Sequence, residues 1–383
     1  MTQWYCPLPF RHVFVDTGGI SPCCNTVNNF NIAGNIAQYL ESDQLKNLQQ
    51  KFLDGQKPQE CLYCFSQEKI QNKSMRLDAL RDYNHEIFSK SKIDFVHYSQ
   101  SNICNFKCRS CGPQYSHVID QELKKHPELT VYGGQKTSKV LTVDGQNHDW
   151  IVNNLPQIKR LLLTGGEPTV MPEVKRIFQR IQSTPDLDIQ IMMTTNCSWT
   201  DDFWYELIDS MPNLHVTASV DAVGSAAELI RHGTDWSQVE YNLQWLAKHA
   251  YSLDVNTVVS CLNITDMYSL MKFCHQLQIE SKLDNGGRQG HLGLRHQFSV
   301  CYNSPTMGII YFPDSAKSNI VDNLKKCLNL ELDSEQVQLI QGLIRTVQAS
   351  KYNEQSWQYL KQFHTKLDQI RNENHGVLLG MLQ

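Results

Sequence analysis

Hydrophobic residues in the middle of the chain form short runs separated by longer stretches with helical periodicity. The runs are short, apolar and rich in branched residues, which is typical of buried parallel strands. They cover Asp94–Gln100, Arg160–Leu163, Ile189–Thr195, His215–Val220, Val255–Ser260, Phe298–Tyr302 and Gly308–Phe312. Because strands of this kind alternate with helices, the pattern predicts an α/β fold with a parallel sheet.

Helical stripes lie between several of these runs. Glu173–Ser183 and Trp236–His249 each place their apolar residues on one face, and Pro172 stands near the start of the first. A further helical segment runs from Ile36 to Phe52 and ends at Gly55. The stripes predict helices that pack against the sheet or against each other.

The two ends of the chain differ from its middle. Residues 1–88 are rich in cysteine, aromatic and turn-forming residues, and residues 316–383 have the amphipathic pattern of helices. The sequence therefore predicts three segments, 1–88, 89–315 and 316–383. Within the middle one, the polar stretch from Gln121 to Asn154, which contains Gly133-Gly134, is predicted to be an insertion near the active-site face.

Charge and hydropathy argue against two classes of partner. The net charge of the 383 residues is -4, from 35 basic and 39 acidic residues, and no basic block suggests nucleic acid. No apolar run reaches the roughly 18 residues that a membrane helix needs. The first 25 residues lack the pattern of a secretory signal, so we expect a cytoplasmic protein without membrane or nucleic-acid partners.

The cysteines are concentrated near the N-terminus, with eight of the thirteen in the first 111 residues. A reducing compartment keeps thiols available for metals, so this clustering favours ligation over disulfides. The sharpest pattern is Cys104-x3-Cys108-x2-Cys111, directly after a predicted strand. Iron–sulfur clusters are held by cysteine thiolates, normally four, so three ligands leave one iron of a 4Fe–4S cluster open to a small molecule. A zinc site that lacks one ligand is the alternative.

Further motifs follow the triplet in a telling order. Thr164-Gly165-Gly166-Glu167-Pro168, Thr194-Thr195-Asn196 and Ser219-Val220-Asp221 each close an apolar run. Together with the triplet they resemble the radical S-adenosylmethionine (radical SAM) superfamily and its GGEP motif. The resemblance implies a partial (β/α)6 barrel with its chemistry at the C-terminal ends of the strands. The family usually has an aromatic residue where this chain has Ser110, which alters one packing contact against the adenine.

The resemblance also implies roles. S-adenosylmethionine would bind the open iron, and its reductive cleavage would give a 5′-deoxyadenosyl radical that abstracts hydrogen; an external donor would supply the electron. Gly165 and Gly166 would let the backbone approach the methionine moiety, and Glu167 or its neighbouring carbonyl would accept from the ammonium group. The remaining contacts would come from Asn196 and Ser219 to ribose or carboxylate, Arg231 to the carboxylate, and Asn263 to the adenosine.

A second cysteine group precedes the barrel. Cys6-x12-Gly19-x3-Cys23, with a strand at His12–Val15, resembles the opening of SPASM or twitch auxiliary domains, and Cys61 and Cys64 supply a further pair. We expect these four cysteines to hold a second, auxiliary 4Fe–4S cluster, with a zinc ribbon as the alternative. Cys24 is either a replacement for Cys23 or a free thiol. Asn72–Arg76 resembles the segment that joins such a domain to the barrel.

The remaining cysteines have weaker assignments. Cys261, Cys274 and Cys327 have apolar neighbours typical of core thiols. Cys197 stands where the family often has glycine, and Cys301 ends a predicted strand. Either of these two is a candidate hydrogen donor to a substrate radical.

Three functions fit these patterns. The first is modification of a ribosomally synthesised peptide by cross-linking, epimerisation or backbone excision, with a separate leader-binding protein as a possible partner. The second is a radical SAM dehydrogenase or mutase acting on a small molecule such as a sugar or cofactor precursor. The third is a metal-binding scaffold without catalysis. Substrate and oligomeric state do not follow from the sequence.

Overall fold

The structure is a computed structural model that describes residues 3–26, 34–71, 73–99, 101–130, 145–184, 186–283 and 294–379. The fold divides into two units. Unit 1 comprises Met1–Asn102 and Lys139–Met193, and unit 2 comprises Ile103–Ser138 and Thr194–Gln383.

The strands are β1 His12–Asp16, β2 Gly19–Ser21, β3 Phe95–Ser99, β4 Lys107–Cys108, β5 Arg160–Leu163, β6 Gln190–Thr195, β7 Leu214–Ser219, β8 Arg231–His232, β9 Ser252–Val259 and β10 Leu294–Val300. The helices are α1 Leu8–Arg11, α2 Ile36–Glu41, α3 Asp43–Leu53, α4 Leu62–Gln71, α5 Met75–Asp82, α6 His117–Lys125, α7 Gly145–Asn154, α8 Pro172–Gln182, α9 Asp202–Ser210, α10 Gly224–Ile230, α11 Trp236–His249, α12 Met267–Leu283, α13 Asp314–Cys327, α14 Ser334–Ala349, α15 Glu354–Arg371 and α16 Gly376–Leu379.

Unit 1 contains a sheet in which β1, β3, β5 and β6 run parallel and β2 pairs antiparallel with β1. β1 comes from the cysteine-rich N-terminal segment, yet it pairs along its whole length with β3, from His12 opposite Phe95 to Asp16 opposite Ser99. The N-terminal segment therefore adds a strand beside the first strand predicted for the barrel.

The helices of unit 1 follow their apolar stripes. α8 buries Val174, Ile177, Phe178 and Ile181, as the sequence predicted. The predicted helical segment from Ile36 to Phe52 is two helices, because Ser42 has an extended backbone and its hydroxyl caps the N-terminus of α3.

Unit 2 contains three parallel strands, β7, β9 and β10, and a two-stranded antiparallel ladder of β4 with β8. Leu253, Val255 and Val259 of β9 are buried with other apolar residues, so one face of this sheet is apolar. Side chains alternate between the two faces of a strand. The other face carries polar residues in register: His215, Thr217 and Ser219 of β7, Asp254 and Asn256 of β9, and Arg295, Gln297 and Ser299 of β10.

The C-terminal helices α13, α14 and α15 contribute to the same apolar core as the ends of the strands. Ile320, Leu343 and Leu360, one from each helix, cluster with buried Val259 and Phe312. The helical C-terminal segment is thus integrated in unit 2.

Three strand predictions need correction. Residues 308–312 form a turn at 309–310 with irregular backbone on either side, instead of a strand. Ile309 and Phe312 are apolar because they are buried in the core. The segment is held by isolated hydrogen bonds, for example from the Ile309 amide to the Cys301 carbonyl at 3.0 Å. β9 and β10 begin several residues before the predicted starts. Their first residues include members of the polar face, which break the apolar pattern.

Part of the predicted insertion lies outside the described residues, including Gly133-Gly134, as do Gln100 and Asn72. Its described ends are α6 and α7. The mostly parallel α/β fold agrees with the sequence prediction. None of the helices that the structure describes is long and apolar enough to span a bilayer.

Candidate functional site

The cysteine triplet occupies a loop of unit 2 whose middle is fixed by a short ladder. Cys108 pairs with Arg231 through β4 and β8, and the next amide, that of Arg109, donates to the Ile230 carbonyl at 2.8 Å. Cys104 and Cys108 are buried around the ring of Phe106, and Cys111 packs against that cluster. The three sulfur-bearing residues therefore gather around one aromatic ring.

Hydrogen bonds hold the rest of the loop. The Ser116 hydroxyl donates to the Phe106 carbonyl at 2.8 Å, and the Cys104 amide lies 3.2 Å from Nδ1 of His117. The Phe106 amide donates to Sγ of Cys104 at 3.5 Å. Amide bonds to sulfur are a means by which proteins tune iron–sulfur ligands, so this contact suits a cluster ligand.

Arg231 sets the electrostatics around the thiols. Burial raises the pKa of Cys108, and it raises that of Cys111 to about 12; the charge of Arg231 opposes both shifts. Burial alone would lower the pKa of Arg231, but the charges of Cys108 and Asp221 outweigh it and the pKa is raised. The guanidinium therefore favours the thiolate form that binds iron.

Arg231 has only part of its bonding capacity in use. Its Nη1 lies 3.0 Å from Oδ2 of Asp221, a residue with 1% exposure, whose Oδ1 accepts from the Val258 amide at 2.8 Å. Its Nε is buried, and within the described ranges no acceptor lies in hydrogen-bond distance of it. A buried guanidinium N–H beside the thiols is suited to an anionic ligand such as a carboxylate.

Asn196 is fastened to the cysteine loop. Its Nδ2 donates to Oδ1 of Asn105 at 2.9 Å, and Nδ2 of Asn105 donates to the Ser198 hydroxyl at 2.8 Å. Asn105 lies between the first two cysteines of the triplet. Asn196 and the loop, both in unit 2, are therefore held in one arrangement by a pair of amides.

Asn263 and Ser219 lie at the ends of neighbouring strands of unit 2. Nδ2 of Asn263 donates to the carbonyls of Asp221 and Val258 at 2.8 and 2.9 Å, so its side chain braces the backbone that carries Asp221. Ser219 is opposite Asn256 on the polar face of the sheet.

The Gly165–Pro168 turn belongs to unit 1 and depends on close backbone approach. Gly165 has φ +112°, and a Cβ there would lie 2.7 Å from the Ser101 carbonyl oxygen. The Gly166 amide donates to the same carbonyl at 2.9 Å. The carboxylate of Glu167 is buried and accepts from the amide and the hydroxyl of Thr169, at 3.1 and 2.7 Å.

The four N-terminal cysteines are gathered in unit 1. Burial raises the pKa of Cys6 well above its usual value, and the charges of Cys23, Cys61 and Cys64 raise it further. Burial raises the pKa of Cys23 to about 12, with a contribution from Cys64. The charges of these thiols therefore act on one another, and Cys24 also contributes to the raised pKa of Cys23.

Local contacts separate Cys23 from Cys24. Cys23 is buried, with its Sγ 3.3 Å from the Thr26 hydroxyl, whereas Cys24 is exposed, with its Sγ 3.8 Å from Sδ of Met75. Arg76 opposes the raised pKa values of Cys61 and Cys64, which follow mainly from burial.

Neither cysteine group has the geometry of a single-metal site. In the ranges the structure describes, no three His, Cys, Asp or Glu side chains converge closely enough to hold one ion. All thirteen cysteines are free thiols. The donor chemistry fits iron–sulfur ligation in both places, because each group consists of mostly buried thiols whose raised pKa values are opposed by arginine.

Three site residues escaped the sequence analysis. Asp221 was quoted only as part of a motif, although it is the partner of Arg231. Asn105 and Arg109 carried no signal beyond their position inside the triplet.

Cys197 is buried and adopts φ +60°, and its carbonyl accepts from Nδ2 of Asn242 at 2.8 Å.

Comparison with known proteins gives a family and a relative. Residues 98–274 match the model of the Radical SAM superfamily. The GTP 3′,8-cyclase of Crocosphaera subtropica is 28% identical over 109 residues, which are 28% of this chain and 27% of that protein. The chain thus matches less than a third of the relative's length.

Solved structures resemble the chain more distantly. Native anSMEcpe with bound AdoMet has a TM-score of 0.39 and 18% identity, covering 61% of this chain and 59% of the other. Streptococcus suis SuiB bound to precursor peptide SuiA has a TM-score of 0.34 and 13% identity, covering 91% of this chain and 55% of the other.

Proposed function

Since residues 98–274 belong to the radical SAM superfamily, we propose that this protein is an enzyme that cleaves S-adenosylmethionine reductively and modifies a ribosomally synthesised peptide. When bound, a 4Fe–4S cluster would supply the electron that cleaves the sulfonium bond, drawn from an external donor. Cys104, Cys108 and Cys111 would hold that cluster. The observation that carries the proposal is the buried, unpartnered Nε of Arg231 beside these thiols.

Arg231 would bind the carboxylate of S-adenosylmethionine. Asp221 fixes the guanidinium from one side, so that Nε has a set direction, and Asn263 braces the backbone that carries Asp221. A charge-assisted bond of this kind both strengthens binding and orients the ligand.

The other cofactor contacts would follow the motifs of the family. Asn196 and Ser219 would contact the ribose or the carboxylate. The backbone at Gly165 and Gly166 would run along the methionine moiety. The Glu167 carboxylate is engaged by Thr169 and would act mainly by shaping that turn.

The N-terminal group would hold the auxiliary 4Fe–4S cluster through Cys6, Cys23, Cys61 and Cys64. Cys23 is buried among the other three, whereas Cys24 is exposed, which supports Cys23 as the ligand. A four-thiolate cluster suits acceptance of the electron that a substrate radical must lose to become a closed-shell product. Replacing Cys24 by Ser should keep the iron content, and replacing Cys23 by Ser should lower it.

A peptide substrate would contact the polar face of β7, β9 and β10. Parallel sheets are normally covered on both faces by apolar contacts, so a polar face is unusual. Arg295 on this face donates from Nε and Nη2 to the two carboxylate oxygens of Asp254, each at 2.9 Å. Nε2 of Gln297 donates to the same carboxylate. A neutralised face rich in amides and hydroxyls is suited to the uncharged polar groups of a peptide backbone. A separate leader-binding protein would present the peptide, and the enzyme would act in the cytoplasm.

The experiment uses anaerobically reconstituted protein with S-adenosylmethionine and dithionite. 5′-Deoxyadenosine is measured by mass spectrometry, and precursor peptides encoded next to the gene are examined for a mass change. We expect deoxyadenosine both without and with a precursor peptide, and a modified peptide when the peptide is present. Absence of deoxyadenosine would contradict the enzyme, and deoxyadenosine without any peptide change would contradict the peptide substrate.

A second candidate is a small-molecule substrate. It is favoured by the likeness to a GTP 3′,8-cyclase. Turnover of a nucleotide or sugar by the same preparation, with precursor peptides left unchanged, would establish it.

A further inference from the structure

Arg109 stands between the second and third cysteines of the triplet, and its side chain is fully buried. Its Nε lies 3.2 Å from the Leu229 carbonyl, and its Nη1 lies 3.2 Å from Nδ1 of His364. Its Nη2 donates to the carboxylates of Asp368 and Glu373. Every nitrogen of this guanidinium is therefore in use, and three of the partner residues belong to α15 or the turn after it.

A second arginine makes the reverse connection. Arg371, at the end of α15, donates from Nη1 to the carbonyl of Lys107 at 2.9 Å. It also binds Glu122 of α6 through two contacts of 3.1 and 2.6 Å. Lys107 reaches the same carboxylate at 2.8 Å. The residues on both sides of Cys108, Lys107 and Arg109, are thus held by hydrogen bonds and ion pairs.

Apolar packing accompanies these bonds. Leu367 of α15 clusters with Ile119 and Leu123 of α6, and Cys111 and Phe363 pack against that cluster. A shallow cleft beside the thiols is lined by Cys108, Cys111, Phe363 and Arg371, among others. Helix α15 therefore forms a wall of the space next to the triplet.

The charges of this network cancel. Lys107, Arg109 and Arg371 contribute three positive charges, and Glu122, Asp368 and Glu373 contribute three negative ones. Buried ion pairs are a weak source of stability, because desolvation offsets the attraction. Such pairs can instead fix geometry, and this set carries no net formal charge when the histidines that touch Asp368 and Glu373 are counted as neutral.

We propose that α15 and the turn after it act as a clamp on the cysteine loop, with Arg109 as its positioning residue. The inference rests on the proposed function in that the loop must hold an iron–sulfur cluster. The clamp keeps Cys108 and Cys111 at the spacing that the cluster requires and shields this side of it from water. Loosening the clamp should release iron and change the spectrum of the cluster without removing any ligand.

The test compares Arg109→Gln, Asp368→Asn and Arg109→Lys with the wild type and with Arg176→Gln, an exposed ion-pair variant in unit 1. The loop cluster is identified by the change in its EPR signal when S-adenosylmethionine is added to the reduced protein. We expect iron loss to a chelator from this cluster to be about 10- to 100-fold faster in Arg109→Gln. Asp368→Asn should give a smaller change, Arg109→Lys a partial rescue, and Arg176→Gln none.

The outcomes separate this proposal from the previous one. If the wild type lacks an EPR signal that responds to S-adenosylmethionine, the proposed function fails and the clamp with it. If the signal is present, and Arg109→Gln and Asp368→Asn match the wild type in spectrum and in iron release, the clamp alone is overturned. Lower unfolding stability without any spectral change also counts against it, because a purely structural contact would give that result.

Discussion

The two cysteine groups differ in how their arginines are used. Arg76, beside the N-terminal thiols, binds Glu68 through Nε at 2.8 Å and Nη2 at 2.6 Å, and its Nη1 donates to the Tyr5 carbonyl at 2.9 Å. Arg231, beside the triplet, makes one contact to Asp221 and keeps Nε for another acceptor. In the proposed function, the four thiols with a saturated arginine would form a closed site, and the three thiols with an unsaturated one would form a site that receives a ligand.

The largest effect should come from removing the thiols of each group in turn. Replacing Cys104, Cys108 and Cys111 by Ala should reduce deoxyadenosine to the level without protein, because no other described residues supply the ligands. Replacing Cys61 and Cys64 by Ala should leave deoxyadenosine formation intact and stop peptide modification. Each variant should lose about half of the bound iron. Deoxyadenosine from the triple variant would break the comparison.

The arginines themselves give the next test, through substitutions that keep the charge. Arg231→Lys retains a cation for Asp221 but has no Nε, so binding of S-adenosylmethionine should weaken roughly 10-fold or more, as for a lost bond to a charged group. Arg76→Lys should lower the free energy of unfolding by about 1.5–3 kcal/mol and leave that binding unchanged. Calorimetric titration and urea unfolding measure the two. Equal effects on binding would remove the distinction between the sites.

The third test concerns the backbone, and it compares the constrained Gly165 with the unconstrained Gly342. An alanine there would combine φ +112° with a Cβ 2.7 Å from the Ser101 oxygen, and we expect it to lower unfolding stability by about 1–3 kcal/mol. Gly342→Ala is the matched control, since it lies within α14 with open space around the position. It should stabilise the protein by about 0.4–1 kcal/mol. An unchanged stability for Gly165→Ala would show that the turn tolerates a side chain.

The smallest effect should be on acid sensitivity, to which His12 and His97 of unit 1 contribute. Burial lowers the pKa of His12 to about 4 and that of His97 to about 3. The unfolded chain then binds more protons below pH 6.5, so stability is full above that pH and falls as the pH drops towards 4. Each histidine contributes up to about 1.4 kcal/mol per pH unit. His97→Gln should flatten the dependence in urea unfolding between pH 6.5 and 5, and an unchanged slope would contradict this.

Much of the fold followed from local pattern. β5 and α11 have the predicted bounds, because a buried strand and an amphipathic helix announce themselves within their own residues. β9 was predicted three residues late, because Asp254 belongs to the polar face that interrupts its apolar run. A strand with one polar face departs from the pattern of a buried strand at its polar positions.

The site was less accessible to sequence. The triplet and the glycine turn are short motifs, and the family model supports their region. The clamp joins Arg109 to residues 255 to 264 positions away, and no local pattern indicates such a pairing. Predicted roles for Asn196 and Arg231 did not include their partners Asn105 and Asp221, since those pairings depend on how separate strand ends meet.

The distance along the chain between Arg109 and its carboxylate partners has a consequence for biosynthesis. The ribosome makes the cysteine loop long before it makes Asp368 and Glu373, so the loop emerges without the contacts that hold it. Iron delivered to the nascent chain would meet a loosely ordered site. If the clamp acts as proposed, a cluster would therefore be loaded stably only after the whole chain has been made.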